Sequence, residues 1–506
     1  YAIVTLGIAE IVYLFYYNEA WLTGGPFGIK FKAEQLPSLF GEKLYYDTRV
    51  FFLLLFVCMC LAVVASYHLR LSRVGRAWSA IRLDETAARS VGIDISFYKM
   101  LGFGISGFMG GIGGGLFAVW LGTVAVKDLD VWQSILILCG AVLGGLGSIR
   151  GVLLGTAILI SLRELLKDPI PLFGLGSFRV PPEASFLVYG LLLILLMRFR
   201  PQGLIPPRAT GRIADPASRL KEAAEGEGAS LVCVGKGEVS AVVEAEGKGG
   251  VERILSVEHF SKFFGGVHAL EDVTMEIAAG SVTSLIGPNG AGKTTLFNGI
   301  TGIFPPTSGR VTFAPGGKPR DITGMRSDEI CVRGIARTFQ NIRLFHDFTV
   351  LENVKIGLHA RTRSNAFSAV LRLPSMRREE AAVTRASLIV LDFVGLAGYA
   401  NELAGNLSYG NQRKLEIARA LATRPSLLLL DEPAAGMNPT ETEELMRLIE
   451  KIRDTGITVL LIEHDMKLVM NISDYVYVLD HGQLISQGAP EEVSQDPKVI
   501  EAYLGT

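Results

Sequence analysis

Two long runs without a charged residue, 50–69 and 100–126, constrain this chain more than any other feature. About 20 apolar residues cross the hydrocarbon core of a bilayer as a helix, so each run is long enough to span a membrane. Shorter or less uniform apolar runs bring the number of candidate spans to six, and they lie near residues 1–17, 131–149, 151–166 and 184–199. We therefore predict an all-α polytopic membrane domain over residues 1–200.

The composition agrees with a chain of two different halves. Charged residues make up 20% of the 506 residues, yet the mean hydropathy is +0.35, because the apolar residues are concentrated in the first two hundred. A net charge of −1 gives no basic surface for nucleic acid. The five cysteines are scattered and indicate neither a disulfide framework nor a metal site. The chain starts at Tyr1 inside an apolar run, so we expect further spans upstream.

The composition changes again after the last apolar run. Residues 201–250 are rich in Ala, Gly and Glu, which predicts a flexible linker. From 251 to 506, short apolar runs alternate with helical patterns, which is typical of an α/β domain. The strands expected there are 281–287, 426–431 and 457–464.

The stretch GPNGAGKTT fits the pattern G-x-x-x-x-G-K-[ST] and follows a predicted strand. Backbone N–H groups of such a loop wrap a phosphate, and the following helix adds the positive end of its dipole. Lys293 is expected to reach the β- and γ-phosphates, and Thr294 to bind Mg²⁺. The predicted ATP-binding loop comprises Gly287, Pro288, Asn289, Gly290, Ala291, Gly292, Lys293, Thr294 and Thr295.

A second motif, LLLLDEP, lies about 140 residues downstream. Its four leucines predict a buried strand that ends at Asp431, which can bind Mg²⁺ through water. Glu432 follows and is suited to polarise the attacking water as a general base. Together the two motifs predict a P-loop ATPase.

Between these motifs lies NLSYGNQRKLEIARALA, which resembles the third hallmark of the ATP-binding cassette (ABC) family, usually L-S-G-G-Q. Tyr409 stands at the first glycine position and Asn411 at the glutamine position. The resemblance implies that this loop contacts the γ-phosphate of ATP held by an opposite cassette. The residues expected to do so are Ser408, Gly410 and Gln412.

The same resemblance implies further roles. Gln340 in RTFQN is similar to the Q-loop glutamine, which contacts Mg²⁺ and the membrane domain. His464 in LIEHD resembles the switch histidine, which senses the γ-phosphate. Phe264 resembles the aromatic residue on which adenine stacks, and Asn438 occupies the D-loop position where Asp is common.

The resemblance narrows to Liv-type branched-chain amino acid importers. IGPNGAGKTTLFNGITG and LSYGNQRKLEIARALATRPSLLLLDEPAAGMNP are similar to their ATPase subunit, and LGGLGSIRGVLLG and RPQGL to their permease subunit. This implies a fused permease and ATPase in a bacterial inner membrane, with ATP and Mg²⁺ as cofactors. It also implies a sister permease, a sister ATPase and an extracytoplasmic protein that delivers leucine, isoleucine or valine.

The stretch RVGRAWSAIRLDETAARSVGI, 73–93, is predicted to be an amphipathic helix between two spans. Six Lys and Arg residues lie within 70–99, which favours a cytoplasmic position for this loop and therefore for 201–506. Its ETAARSVG resembles the E-A-A-x-x-x-G loop by which importer permeases dock on their ATPases. The resemblance marks Glu85, Ala88 and Gly92 as coupling residues; a basic helix held by lipid headgroups is the alternative.

Other functions stay open from the sequence. An importer of the same architecture could carry urea, short amides or other amino acids. An ABC exporter is disfavoured because the loops between spans are short, and a non-transport ABC ATPase is disfavoured by the six apolar runs. Glu10 is a candidate functional residue because it is the one acid in the middle of a predicted span.

Overall fold

The computed structural model describes residues 2–25, 28–30, 38–39, 42–43, 48–125, 131–167, 170–172, 176–178, 182–206, 216, 218–219 and 252–504. The chain forms two compact units. The first comprises Tyr1–His68 and Gly102–Arg208, and the second comprises Leu69–Leu101 and Ala209–Thr506. Most of the predicted linker lies outside the described residues, so its flexibility stays a prediction.

Each of the six predicted spans contains a helix. The long helices are α1 (Ala2–Asn18), α3 (Thr48–Arg70), α6 (Ile95–Leu121), α7 (Val131–Gly144), α8 (Ile149–Lys167) and α9 (Pro182–Phe199), with a short α2 (Ala20–Thr23). Among the described residues, Arg49–Arg70 and Ile95–Leu121 are long and apolar enough to cross a membrane, and Ser134–Gly144 and Ile149–Leu162 are shorter apolar helices. Six membrane crossings therefore stay a prediction.

Small residues allow α7 and α8 to approach closely in the first unit. A Cβ added to Gly144 would meet the Gly151 carbonyl oxygen at 2.1 Å, and one added to Gly155 would meet the Gly140 carbonyl oxygen at 2.4 Å. Close backbone approach through small residues is how helices associate where lipid gives no hydrophobic driving force. Short two-stranded pairs complete this unit: β1 (Ile29–Lys30) with β4 (Thr123–Val124), β2 (Ser38–Leu39) with β3 (Glu42–Lys43), and β5 (Ile170–Leu172) with β6 (Gly176–Phe178).

The second unit contains two sheets. An antiparallel sheet has the order β11-β10-β7-β8, formed by β7 (Arg253–Phe264), β8 (Val267–Ala278), β10 (Ser308–Phe313) and β11 (Arg320–Asp321). The other has the order β12-β13-β14-β9-β15-β16, formed by β9 (Val282–Ile286), β12 (Ile335–Arg337), β13 (Leu427–Asp431), β14 (Thr458–Ile462), β15 (Tyr475–Asp480) and β16 (Gln483–Gly488). Its strands are parallel except for the β15–β16 pair.

Helices cover the parallel sheet, because its strands are apolar on both faces and must be buried on both. The helices of this unit after Gly292 are α10 (Lys293–Ile300), α11 (Ser327–Arg333), α12 (Val350–Gly357), α13 (Ala366–Val370), α14 (Pro374–Phe393), α15 (Tyr409–Ala422), α16 (Pro439–Asp454), α17 (Met466–Ile472), α18 (Pro490–Ser494) and α19 (Pro497–Leu504). Every residue of β9, β13 and β14 is buried. The expected helical domain followed by an α/β ATPase is therefore confirmed.

Residues 69–101, here called the connecting segment, fold with the second unit. They form α4 (Arg73–Leu83) and α5 (Glu85–Ser90), not the single helix predicted for 73–93. The break lies at Asp84, whose extended backbone ends α4 and whose carboxylate accepts hydrogen bonds from the N–H groups of Thr86 and Ala87 at the start of α5. An Asp that caps a new helix interrupts a periodicity that would otherwise continue.

Candidate functional site

The parallel sheet gathers the predicted motifs at one edge. β9, β13 and β14 are neighbours with aligned register, and the P-loop, Glu432 and His464 follow their carboxyl ends. Ligands of open α/β sheets bind at this edge. The order of the strands in space therefore brings together residues that are up to about 175 positions apart in the chain.

The P-loop, 287–292, joins β9 to α10, and Thr294 and Thr295 lie in the first turn of that helix. Gly292 has φ 103°, and a Cβ there would meet the Ala269 carbonyl oxygen at 2.6 Å. The Lys293 ammonium donates hydrogen bonds to the carbonyl oxygens of Gly287 at 2.7 Å and Pro288 at 2.9 Å. Burial lowers the pKa of Lys293, while Glu432 and Asp431 oppose that shift. The loop can thus present a cation and backbone N–H groups to a phosphate.

Asp431 ends strand β13 and is fully buried. Its Oδ2 accepts a hydrogen bond from the Arg337 guanidinium at 2.9 Å. Its Oδ1 is buried and has no hydrogen-bond partner among the described residues. Burial raises the pKa of Asp431, and Arg337 acts against this shift. An unpartnered buried carboxylate oxygen is costly unless a ligand completes it, so this atom fits a magnesium site.

Glu432 directly follows β13 and has an unusual backbone conformation, with φ 45°. Gln340 Nε2 donates to Glu432 Oε2 at 3.1 Å, and His464 Nδ1 lies 4.0 Å from the same oxygen. A non-glycine residue at positive φ is strained and persists where the surroundings hold it. The structure thus brings together the predicted base, the predicted Q-loop glutamine and the predicted switch histidine.

The LSYGNQ motif, 407–412, lies at the start of helix α15, and its Ser408 is exposed. Ser408 is the N-cap, and its side chain accepts a hydrogen bond from the Asn411 N–H at 3.4 Å. A Cβ on Gly410 would meet Glu441 Oε1 at 2.6 Å, so this glycine allows α16 to approach. Gln412 Nε2 donates to the Leu407 carbonyl oxygen at 3.0 Å. Tyr409 is 45% exposed, so the substituted glycine position faces outwards.

Phe264 ends β7 and is 47% exposed. Its ring packs edge-on against Phe304 with centroids 5.3 Å apart, and the Lys262 ammonium lies 5.1 Å from its centroid. An exposed aromatic face of this kind can stack on a planar base.

The connecting segment packs against the cassette through a small apolar core. Ala77, Ala80, Ala87 and Ala88 are fully buried beside Phe345, Phe348 and Ile356. Gly92 has φ 82°, and a Cβ there would lie 2.9 Å from Ala360 Cβ. Glu85, by contrast, forms an exposed ion pair with Lys99 at 2.6 Å. Of the three predicted coupling residues, Ala88 and Gly92 thus lie in the contact with the cassette, whereas the described partner of Glu85 lies within the segment itself.

Among the described residues, three ion pairs join the connecting segment to the cassette. Arg76 donates to both oxygens of Glu380, at 2.8 and 2.9 Å, and Lys355 donates to the same carboxylate at 3.0 Å. The other two are Asp84–Arg343 at 2.8 Å and Asp94–Arg326 at 2.9 Å. Arg343 follows Gln340 by three positions, so the segment lies close to Gln340.

Family models match both halves of the chain. The model described as ABC transporter matches residues 270–435, and the one described as Branched-chain amino acid transport system / permease component matches 1–197. A third, Branched-chain amino acid ATP-binding cassette transporter, matches 483–506. High-affinity branched-chain amino acid transport ATP-binding protein LivG of Salmonella typhimurium is 46% identical over 253 residues, which are 50% of this chain and 98% of that protein.

This chain belongs to the branched-chain amino acid ABC transporter family. The ATP-binding protein BraF of Pseudomonas aeruginosa is 45% identical over 253 residues, again 50% of this chain and 98% of the relative. A nucleotide-free ATP-binding cassette from an ABC transporter aligns with 50% of this chain and 100% of its own, at 36% identity and a TM-score of 0.44. As a member of this family, the transporter subunit binds ATP and couples ATP hydrolysis to transport across a membrane.

The edge of the parallel sheet that carries the P-loop, Glu432 and His464 is here called the nucleotide edge. Two buried charged residues at this edge were not predicted from the sequence. Glu463 is fully buried and accepts hydrogen bonds from the N–H groups of Ala434 at 2.9 Å and His464 at 3.3 Å, and burial raises its pKa. Arg413 is also fully buried, and it donates to the carbonyl oxygens of Phe339 and Gln340. Glu463 follows the apolar strand β14, and Arg413 lies in helix α15 next to the LSYGNQ motif. A charged residue at such a position is a signal from which both could have been predicted.

Proposed function

We propose that this chain is a fused permease and ATPase subunit that drives import of branched-chain amino acids across a bacterial cytoplasmic membrane. The observation that carries the proposal is the match of one chain to both a branched-chain amino acid permease model and LivG-type cassettes. In such a subunit residues 1–200 cross the membrane several times, and residues 201–506 lie in the cytoplasm.

At the nucleotide edge, the P-loop N–H groups and Lys293 bind the phosphates of ATP, and adenine stacks on Phe264. The donor set of Thr294, Gln340 and Asp431 fits Mg²⁺, and the unpartnered Asp431 Oδ1 supports this assignment. The bound ion supplies charge neutralisation at the β- and γ-phosphates. Glu432 accepts a proton from the attacking water, and His464, 4.0 Å from it, contacts the γ-phosphate and orients the carboxylate.

One chain carries one cassette, so hydrolysis requires a second. Ser408 and Gly410 begin α15, and Ser408 is exposed where the helix N-terminus can meet a phosphate of an opposing cassette. We infer that binding of ATP closes two cassettes and that hydrolysis reopens them. A sister permease, a sister ATPase and an extracytoplasmic solute-binding protein complete the complex.

The connecting segment transmits this movement to the membrane half. It contacts the cassette beside the Q-loop, whose Gln340 donates a hydrogen bond to Glu432. Closure that shifts Gln340 therefore shifts Arg343 and the segment bonded to it. Ala88 and Gly92 hold the apolar part of this contact, and Glu85 links α5 to the start of α6 through Lys99.

Uptake of labelled solutes tests the proposal. Cells that lack the chain are compared with cells that carry it, using leucine, valine, glutamate and urea, and with cells that carry Glu432→Gln as an inactive control. We expect loss of leucine and valine uptake without the chain and no recovery with the variant. Loss of urea uptake with intact leucine uptake would overturn the substrate assignment and favour an importer of short amides.

A further inference from the structure

Arg337 is a buried cation that bonds to both the P-loop helix α10 and strand β13, and none of the motifs assigns it a role. It ends β12, the edge strand that pairs with β13, and it is 7% exposed. Its Nη2 donates to Asp431 Oδ2 at 2.9 Å. Its Nη1 donates to Asn298 Oδ1 and, at 3.0 Å, to Thr301 Oγ1, both near the carboxyl end of α10.

The guanidinium also contacts the two residues that follow Arg337 in the chain. Its Nε donates to the Thr338 carbonyl oxygen at 3.2 Å, and its Cζ lies 5.1 Å from the centroid of the Phe339 ring. A planar fork fixed on several sides has little rotational freedom, and Lys could not reproduce it. The direction of the Nη2–H bond is therefore set by the fold before any ligand binds.

The hydrogen bond from Arg337 to Asp431 sets the orientation of the Asp431 carboxylate. With Oδ2 engaged by Arg337, Oδ1 is the oxygen left without a partner among the described residues. α10, on which Arg337 is anchored through Asn298 and Thr301, begins at Lys293 and carries Thr294 in its first turn. One guanidinium thus bridges the two elements that carry the proposed Mg²⁺ ligands Thr294 and Asp431.

We propose that Arg337 is a positioning residue for the metal site: it fixes the orientation of Asp431 relative to α10 so that Oδ1 faces the ion. This inference rests on the proposed function, in which Asp431 and Thr294 serve Mg²⁺. Outer partners of metal ligands hold the ligand in its binding orientation. Arg337 itself touches neither the ion nor the nucleotide.

The test compares the ATP affinity of the purified transporter complex in Mg²⁺ with its affinity in EDTA. The ratio of the affinity in Mg²⁺ to the affinity in EDTA, here called the Mg²⁺-to-EDTA ratio, measures the contribution of the metal without relying on turnover. For Arg337→Gln we expect this ratio to fall by about tenfold, because loss of an outer partner typically costs 10–100-fold in metal affinity. The affinity for ATP in EDTA stays at the wild-type value, since Lys293 and the P-loop are untouched.

Arg333→Gln is the matched control, because Arg333 bonds only to the Glu329 carbonyl oxygen of its own helix α11 among the described hydrogen bonds. Arg337→Lys covers the case in which Arg337→Gln does not fold: it keeps the charge and loses the fork, and we expect a smaller fall in the ratio. An unchanged ratio in the folded Arg337→Lys and Arg337→Gln variants would overturn the inference. So would an equal loss of affinity in Mg²⁺ and in EDTA, which indicates a purely structural role.

Asp431→Asn separates this inference from the proposed function. If Asp431→Asn lowers the Mg²⁺-to-EDTA ratio and Arg337→Gln does not, the metal site stands and only the role of Arg337 is wrong. If Asp431→Asn leaves the ratio unchanged, the magnesium assignment itself is wrong, and the inference about Arg337 fails with it.

Discussion

The nucleotide edge and the contact between the connecting segment and the cassette differ in how their carboxylates are hydrogen-bonded. At the nucleotide edge, Asp431 keeps one oxygen without a described partner, and Glu432 is held at positive φ. In the connecting-segment contact, the Glu380 carboxylate is bonded through both oxygens to Arg76 and also to Lys355. The nucleotide edge leaves an oxygen of a buried carboxylate for a ligand, and the connecting-segment contact pairs its carboxylate within the protein.

This difference indicates what each region is built to do. A buried group without a partner costs free energy that binding of a ligand recovers, so such a region responds to the ligand. A partly buried carboxylate that is paired with two buried cations is instead sensitive to loss of any member. We therefore expect substitutions at the nucleotide edge to change ligand binding and chemistry, and substitutions in the connecting segment to change coupling.

Lys293→Ala is expected to have the largest effect on the nucleotide edge. The variant removes the cation that directly follows the P-loop and bonds to its Gly287 and Pro288 carbonyl oxygens, so ATP binding by the purified complex should be lost. Equilibrium binding of ATP measures this directly. Lys318→Ala, on the exposed strand connection after residue 317, is the control and should bind ATP normally. Wild-type affinity in Lys293→Ala would contradict the role given to this loop.

Glu432→Gln separates binding from chemistry at the same edge. The amide keeps the shape of the side chain but cannot accept a proton, so the rate of ATP hydrolysis should fall by about 10²–10⁴-fold. ATP binding should remain, and the closed pair of cassettes should accumulate, as seen by a change of assembly size or cross-linking. Hydrolysis at the normal rate would show that another group is the base.

Glu380→Gln tests the paired charges of the connecting segment. The substitution leaves the buried Arg76 and Lys355 without this counter-ion. Breaking a fully buried ion pair by removing one partner costs about 3–5 kcal/mol, and the cost here should lie below that range because the Glu380 side chain is 28% exposed. We expect a lower melting temperature and less solute imported per ATP hydrolysed, with ATP affinity retained. Glu443→Gln, which breaks an exposed pair with Arg447 at 3.8 Å, is the control and should change neither quantity.

The pH dependence of the same carboxyl sharpens this test. Burial opposes the charge on Glu380, but Arg76 and Lys355 outweigh it and lower its pKa to about 2, from an ordinary value of 4.5. A carboxyl whose pKa is lower in the folded state stabilises the fold above its unfolded pKa, and that contribution is lost as the pH falls towards the folded pKa. The difference in melting temperature between the wild type and Glu380→Gln should therefore be constant near neutral pH and shrink below about pH 4.5. A difference that grows on acidification would contradict the ion-pair assignment.

The cassette could be predicted from the sequence because its signals are local. The strands expected at 281–287, 426–431 and 457–464 are found as Val282–Ile286, Leu427–Asp431 and Thr458–Ile462. Each strand is an apolar run that a motif follows, so the same stretch of sequence predicts both the strand and the site residues. The connecting segment was predicted less well, since apolar periodicity continues across Asp84 and does not reveal that its carboxylate caps a second helix.

The site residues that were missed depend on contacts between distant parts of the chain. Arg337 and Asp431 are 94 positions apart, and Arg76 and Glu380 are 304 apart. Arg76 is only 9% exposed and is bonded to Glu380. A charged residue next to an apolar face is ambiguous in sequence, because only the fold shows whether a counter-charge is opposite.

Gly92→Ala should give the smallest effect and separates backbone strain from contact. The substitution places a side chain at φ 82°, which costs about 1 kcal/mol, and brings a Cβ to 2.9 Å from Ala360 Cβ. Gly395→Ala imposes the same strain at φ 78° with no atom within 4 Å of the added Cβ, and is the matched control. If Gly92 is part of the coupling contact, import per ATP hydrolysed should fall in Gly92→Ala and not in Gly395→Ala. Equal effects in the two variants would mean that strain alone matters, and that the approach of Gly92 to the cassette does not contribute to coupling.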